Sequence, residues 1–210
     1  MKPRKRPALS SRKQPKQTRS NQLVAAILQA AAQVLAKEGM HRFTTARVAE
    51  KAGVSVGSLY QYFPNKAAIL FRLQSDEWQQ TGKLLNDVLQ DRSQPPFERL
   101  RLLVYSFIKS ECDEADIRVA LNDAAPLYRD APEAKAAHAS ADSAVHSFMK
   151  EVLPRASRST RTAASDLIKS VLSAAGKQFS ESPRTTREIE AYANSMAEMF
   201  IAYLQRLRRA

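Results

Sequence analysis

Residues 44 to 66 read Thr44-Thr45-Ala46-Arg47-Val48-Ala49-Glu50-Lys51-Ala52-Gly53-Val54-Ser55-Val56-Gly57-Ser58-Leu59-Tyr60-Gln61-Tyr62-Phe63-Pro64-Asn65-Lys66. Thr44 is placed to cap a helix, its hydroxyl oxygen reaching a free N–H of the first turn. Val48 and Ala49 give that helix a narrow inner face, and Ala49 is small where a second helix must cross closely. Gly53 fits just past the helix end, where the chain needs positive φ. Val54 turns back into a core, Ser55 caps a second helix and Leu59 anchors it. Two short helices joined by so tight a turn form a helix-turn-helix suited to the DNA major groove, with an ordinary helical hairpin as the alternative.

The second helix carries Gly57, although glycine inside a helix costs roughly 1 kcal/mol against alanine. Close approach of another backbone, such as DNA phosphate or a base edge, explains its use. Around it Val56, Ser58, Tyr60, Gln61 and Tyr62 offer an apolar surface, a hydroxyl, two phenols and an amide, groups that bond phosphate or read base edges. Either tyrosine has the alternative of packing inside the head with its hydroxyl satisfied. Pro64 ends the helix and biases Phe63 toward extended geometry. Asn65 then opens a longer helix whose first turn holds Lys66. A cation there opposes the helix dipole, whereas a phosphate would be attracted both by the ammonium and by the helix start.

The run from Ala25 to Leu70 resembles the N-terminal domain of the TetR family of bacterial transcriptional repressors. The resemblance rests on the apolar first helix Val24 to Ala36, Gly39, Phe43-Thr44-Thr45, Val48-Ala49, Ala52-Gly53-Val54, Ser55, Gly57, Leu59-Tyr60-Gln61-Tyr62-Phe63, Lys66 and Leu70. It implies that Thr45, Tyr60 and Lys66 meet phosphates, and that Val56, Gly57, Ser58 and Tyr62 face base edges or the adjacent backbone. Ala46 stands where some members carry a base-reading arginine, and Arg47 is one residue on. The residues expected at DNA are Thr44, Thr45, Arg47, Ser55, Val56, Gly57, Ser58, Tyr60, Gln61, Tyr62 and Lys66.

Charge agrees with that expectation. The net charge is +12, and residues 1–66 hold +11 of it. A basic head on a nearly neutral body is the footprint of nucleic-acid binding. Residues 1–20 contain eight Lys and Arg and no acid, so they read as a disordered basic arm. It either lies along phosphate or in a minor groove, or serves as a solubilising tail. The basic start followed by Leu23 to Ala36 imitates a signal peptide, but Gln29 and Gln33 put a polar stripe on one side and indicate an amphipathic helix. No apolar run approaches the roughly 20 residues of a membrane span, so no membrane association is expected. The lone Cys112 forms no internal disulfide and is compatible with a reducing cytosol. DNA binding places the protein in the cytoplasm, on the nucleoid.

With five glycines and no alternating stretch, an all-α protein follows. Helices are expected at 22–38, 45–52, 56–62, 66–89, 97–112, 116–129, 132–153, 160–180 and 185–208, with Pro126 kinking or ending the sixth. Residues 21–66 form the DNA-binding head, 66–89 a connecting helix about 36 Å long, and 90–210 an effector-binding and dimerisation domain. Leu167, Ile168, Val171, Leu172, Ala175 and Phe179 line one late helix, and Tyr192, Met196, Met199, Phe200 and Tyr203 the last. These faces either fill an internal core or in part meet a second copy in a two-fold four-helix interface. The resemblance implies the same homodimer, with two recognition helices roughly 34–36 Å apart on an inverted-repeat operator of double-stranded DNA.

An effector pocket is expected among the later helices, with Trp78, Leu103, Tyr105, Phe107, Ile108, Cys112, Leu121, Asn122, Tyr128, His138, His146, Phe148 and Met149 as candidates. Such a set would admit an apolar or aromatic small molecule, although the same residue types also fill cores. His138, Asp142 and His146 share one flank at four-residue spacing, which suits a solvated surface, a ligand contact or a metal. Three such residues seldom complete a metal site, so no metal and no cofactor is expected. No nucleophile–base pairing stands out, so no catalytic residue and no enzyme is expected. The function read from the chain is a ligand-released repressor. An activator or a corepressor-dependent repressor fits equally, and a non-specific architectural DNA binder is the rival.

Overall fold

The computed structural model describes residues 18–128 and 142–209. Among them there are nine α-helices and no strand: α1 Thr18–Arg42, α2 Thr45–Lys51, α3 Val56–Tyr62, α4 Lys66–Gln90, α5 Pro96–Asp113, α6 Ala115–Ala124, α7 Asp142–Val152, α8 Arg158–Ser180 and α9 Thr186–Arg209. A 3-10 turn, Ala125–Leu127, follows α6 and contains Pro126, which ends the helix as its missing N–H requires. The expected helix over 132–153 is seen from residue 142. Its first ten residues, like the basic arm up to residue 17, lie outside the described residues. So does His138.

Two compact units divide the described chain. One holds residues up to 78 together with 116–128, the other residues 79–115 and 142–209. This departs from the expected boundary, because α6 belongs with the head. The cause is visible in its contacts. The Tyr128 hydroxyl lies 3.2 Å from Gln74 Oε1 and 3.1 Å from the Leu121 carbonyl. The Tyr128 ring packs on Phe71 with centroids 5.8 Å apart, and Arg118 pairs with Glu77 at 2.7 Å. Burial pushes the Tyr128 phenol well above its ordinary pKa, so it stays neutral.

In the first unit α1 is longer and more apolar than the sequence reading allowed. By length and composition alone Ser20–Arg42 would suffice to cross a membrane. Its apolar side is nonetheless sunk in protein: Val24, Ile27, Ala30, Ala31, Val34 and Leu35 join a core with Phe43, Val48, Leu59 and Leu70. Gln29 and Gln33 are exposed on the other side, as amphipathic spacing demands. The helical path breaks at Gly39, whose φ is 71°.

In the second unit α5 is the central rod, with α8 and α9 packed against it and α7 against α8. The core combines Leu100, Val104 and Ile108 with Phe148, Met149, Ala164, Ile189, Ala197, Phe200 and Leu204. Burying each leucine or isoleucine contributes about 1.5–3 kcal/mol. Arg99 is an unusual member, only 2% exposed. Its guanidinium donates to the Leu89 carbonyl at the end of α4 and to the Glu151 carboxylate of α7, and lies 5.7 Å from the Phe148 ring centroid.

Candidate functional site

The head is built as its caps dictate. Thr44 has extended backbone, and its hydroxyl accepts from the Arg47 N–H at 3.3 Å, opening α2. Past α2, Gly53 takes φ 67°, with its N–H bonded to Glu50 O at 3.1 Å and the Val54 N–H to Ala49 O at 3.0 Å. The Ser55 hydroxyl accepts from the Ser58 N–H at 3.0 Å and opens α3. Asn65 Oδ1 accepts from the Ala68 N–H at 2.9 Å and opens α4. Gly53→Ala is expected to cost about 1–2 kcal/mol in urea unfolding, because a Cβ there disfavours left-handed backbone. Nothing lies within 4 Å of that Cβ, so the whole cost is conformational, and an unchanged midpoint would contradict it.

Rotation of about 100° per residue puts Val56, Tyr60, Gly57 and Gln61 on one arc of α3. All four are exposed, Val56 by 40% and Tyr60 by 39%. A Cβ built on Gly57 meets only Ser55 Oγ, at 3.7 Å. No packing inside the protein therefore requires glycine at that position. The Tyr60 hydroxyl lies 3.1 Å from Thr45 Oγ1, so two of the expected phosphate contacts are hydrogen-bonded to each other across α2 and α3. Lys66 is exposed at the start of α4.

Three expected DNA residues make contacts within the head. Tyr62 is only 6% exposed and packs into the head core, because it lies nearly opposite Tyr60 on the helix. Ser58 is half-buried with its hydroxyl 2.8 Å from Ser55 Oγ, which leaves both hydroxyls serving the cap. Arg47 is ion-paired with Glu38, which also lies 3.8 Å from Arg42. The signal for that cluster was Glu38 standing four residues ahead of Arg42, and sequence reading missed it.

The second unit contains a cavity of about 220 Å³, lined by Leu85, Leu89, Leu100, Leu103, Phe107, Val145, Phe148, Met149, Ile168 and Leu172, with Lys169 and Ser173. Of the pocket candidates, Leu103, Phe107, Phe148 and Met149 line it. Tyr105, Ile108, Cys112 and His146 are in the same unit but not in its wall. Burial raises the pKa of the Cys112 thiol, which favours its protonated form. Trp78, Asn122, Leu121 and Tyr128 belong to the first unit, where Asn122 is exposed and Leu121 and Tyr128 are core. No three His, Cys, Asp or Glu side chains gather into a metal cluster among the described residues.

The dimer candidates also divide. Ile168, Leu172, Met196 and Phe200 are buried in the chain's own core, so they are not available to a second copy. Leu167 and Met199 are 48% and 51% exposed. Val171, Ala175, Phe179, Tyr192 and Tyr203 are half-buried, with the Phe179 and Tyr192 rings stacked at 4.0 Å.

Comparison with known proteins agrees with this anatomy. Residues 27–73 match the family model described as bacterial regulatory proteins, tetR family, and residues 95–207 match that of the tetracyclin repressor-like C-terminal domain. The nucleoid occlusion factor SlmA of Yersinia enterocolitica is 39% identical over 79 residues, as is that of Pectobacterium carotovorum. The match takes in 37% of this chain and 39% of those proteins, so the chain spans well under half the length of the curated relatives it matches. A protein of Mesorhizobium loti assigned to the TetR-family regulators superposes with a TM-score of 0.70 at 18% identity, over 89% of this chain and 98% of that one. The fatty acid degradation regulator FadR of Bacillus halodurans gives 0.62 at 18% identity, over 89% and 96%. FadR of Bacillus subtilis in complex with stearoyl-CoA gives 0.61 at 18% identity, over 84% and 96%. At such identities the likeness is one of fold. With both its head and its body matched, the chain belongs to the TetR family of bacterial regulatory proteins.

Proposed function

We propose that the protein is a homodimeric repressor that holds an inverted-repeat operator through α3 and releases it when a small molecule enters the cavity of the second unit. The observation that carries the DNA part is the open arc of α3, with a glycine at its centre that the protein's own packing does not need. Val56 and Gln61 supply an apolar contact and an amide for base edges. Tyr60, braced by Thr45, and Lys66 supply phosphate contacts that set the register.

Leu167 of α8 and Met199 of α9, with Val171 and Tyr203 beside them, give the apolar stripe for a second copy. Effector control has a path in α4, which carries Lys66 at its start and Leu85 and Leu89 of the cavity wall near its end. A ligand shifts DNA affinity only by its differential affinity for two states. The likeness to a regulator solved with stearoyl-CoA supports a ligand in this body. The likeness to nucleoid occlusion factor SlmA favours a second reading, a nucleoid-associated DNA binder.

The double substitution Leu167→Glu, Met199→Glu tests the dimer. It is expected to sediment as a monomer at micromolar concentration and to bind operator at least about 100-fold more weakly, because linked heads raise the effective concentration of the second contact. A variant that remains dimeric removes this interface.

A further inference from the structure

The cavity wall is almost wholly apolar, yet two polar residues border it, Lys169 and Ser173 of α8. They are also its two exposed lining residues, so they mark where the cavity reaches solvent. Four residues apart, they sit on one flank of the helix. Leu167 and Val171 each lie two positions earlier, about 200° around the axis, so a second copy seated on that stripe leaves the mouth uncovered. The Lys169 ammonium rests 3.3 Å from Asp166, a carboxylate 62% exposed. A pair so exposed contributes little, and an incoming anion shares or replaces it at small cost.

Size limits the occupant. A cavity of about 150 Å³ accepts benzene. At 220 Å³ this one takes an apolar body of roughly nine non-hydrogen atoms on the same scale. A long saturated acyl chain exceeds that enclosed volume, so the ligand of the stearoyl-CoA-bound regulator is not carried over to this chain.

From the mouth's charge and the chamber's size we infer that the ligand is a short amphipathic monocarboxylate. Its apolar body lies among Leu100, Leu103, Phe107, Phe148 and Leu172, and its carboxylate sits at the mouth between the Lys169 ammonium and the Ser173 hydroxyl. This rests on the effector-controlled reading above and adds the chemical class.

Calorimetric titration of the full-length protein with octanoate, 1-octanol and stearate tests it. Octanoate is expected to bind best, 1-octanol at least ten-fold more weakly and stearate more weakly still. Lys169→Gln should weaken octanoate about two- to five-fold, as expected for an exposed charge pair, and leave 1-octanol unchanged. The ligand class is overturned if 1-octanol binds as tightly as octanoate, if stearate binds best, if Lys169→Gln leaves octanoate unaffected, or if octanoate does not bind. Anisotropy of labelled operator, read in parallel, separates the two ideas. Octanoate binding with no change in operator affinity supports the ligand class and overturns effector release. Normal operator binding without octanoate uptake overturns the ligand class alone.

Discussion

Gly57→Leu is expected to abolish specific DNA binding while leaving the head at least as stable as before. The two effects have opposite signs because different surroundings decide them. Within the protein, a Cβ at position 57 meets nothing closer than Ser55 Oγ at 3.7 Å. Leucine also propagates a helix better than glycine, by roughly 0.8 kcal/mol. Thermal unfolding should therefore hold or rise. Outside the protein, the same side chain projects from the centre of the arc formed by Val56, Tyr60 and Gln61. It would hold α3 off the groove floor, and each head would lose base contacts of about 1–3 kcal/mol. In a dimer both heads lose them, so operator affinity should fall at least about 100-fold in anisotropy titrations at fixed salt. Affinity within three-fold of wild type would show that this arc is not the reading surface.

Arg99→Ala is expected to cost about 3 kcal/mol in denaturant unfolding, one of the largest losses available to a single substitution in the second unit. The side chain is 2% exposed, donates to the Leu89 carbonyl and to Glu151, and lies against the face of Phe148. Truncation leaves a buried carbonyl without its donor, a carboxylate without its counter-charge and a void between α5 and α7. Breaking a buried pair from one side costs about 3–5 kcal/mol, and the low end applies because Glu151 keeps a third of its side chain in water. Arg99→Met tells charge from volume. A hydrophobic replacement of similar length is often neutral, so methionine should recover most of the loss if packing dominates. Equal losses for alanine and methionine would assign the stabilisation to the hydrogen bonds, chiefly the one that caps α4.

The head was legible residue by residue because its caps and turn are local. Thr44, Gly53, Ser55 and Asn65 each act on backbone within three or four positions, and such chemistry can be read from spacing. Orientation around α3 was legible only in part. Tyr60 and Tyr62 are chemically alike, and the rotation that exposes one and buries the other depends on where Leu59 docks. The body was legible as helices but not as sites. Phe107 lines the cavity, whereas Ile108, beside it, is core. Ile168 and Leu172 share the apolar pattern of Leu167, yet they are interior. Period reveals an apolar face without revealing whether core, ligand or partner covers it. The assignment of α6 to the head was equally hidden, since it depends on Tyr128 reaching Gln74 across 54 positions.

The most direct measurement is selection of bound sequences from a random DNA pool by the purified full-length protein, followed by competition binding against random duplex. The expected result is an inverted repeat with half-sites centred about one helical turn, or a whole multiple of it, apart, bound at least about 1,000-fold more tightly than random DNA. Enrichment of no common sequence, with equal affinity for every duplex, would contradict a sequence-reading dimer and leave only a non-specific binder.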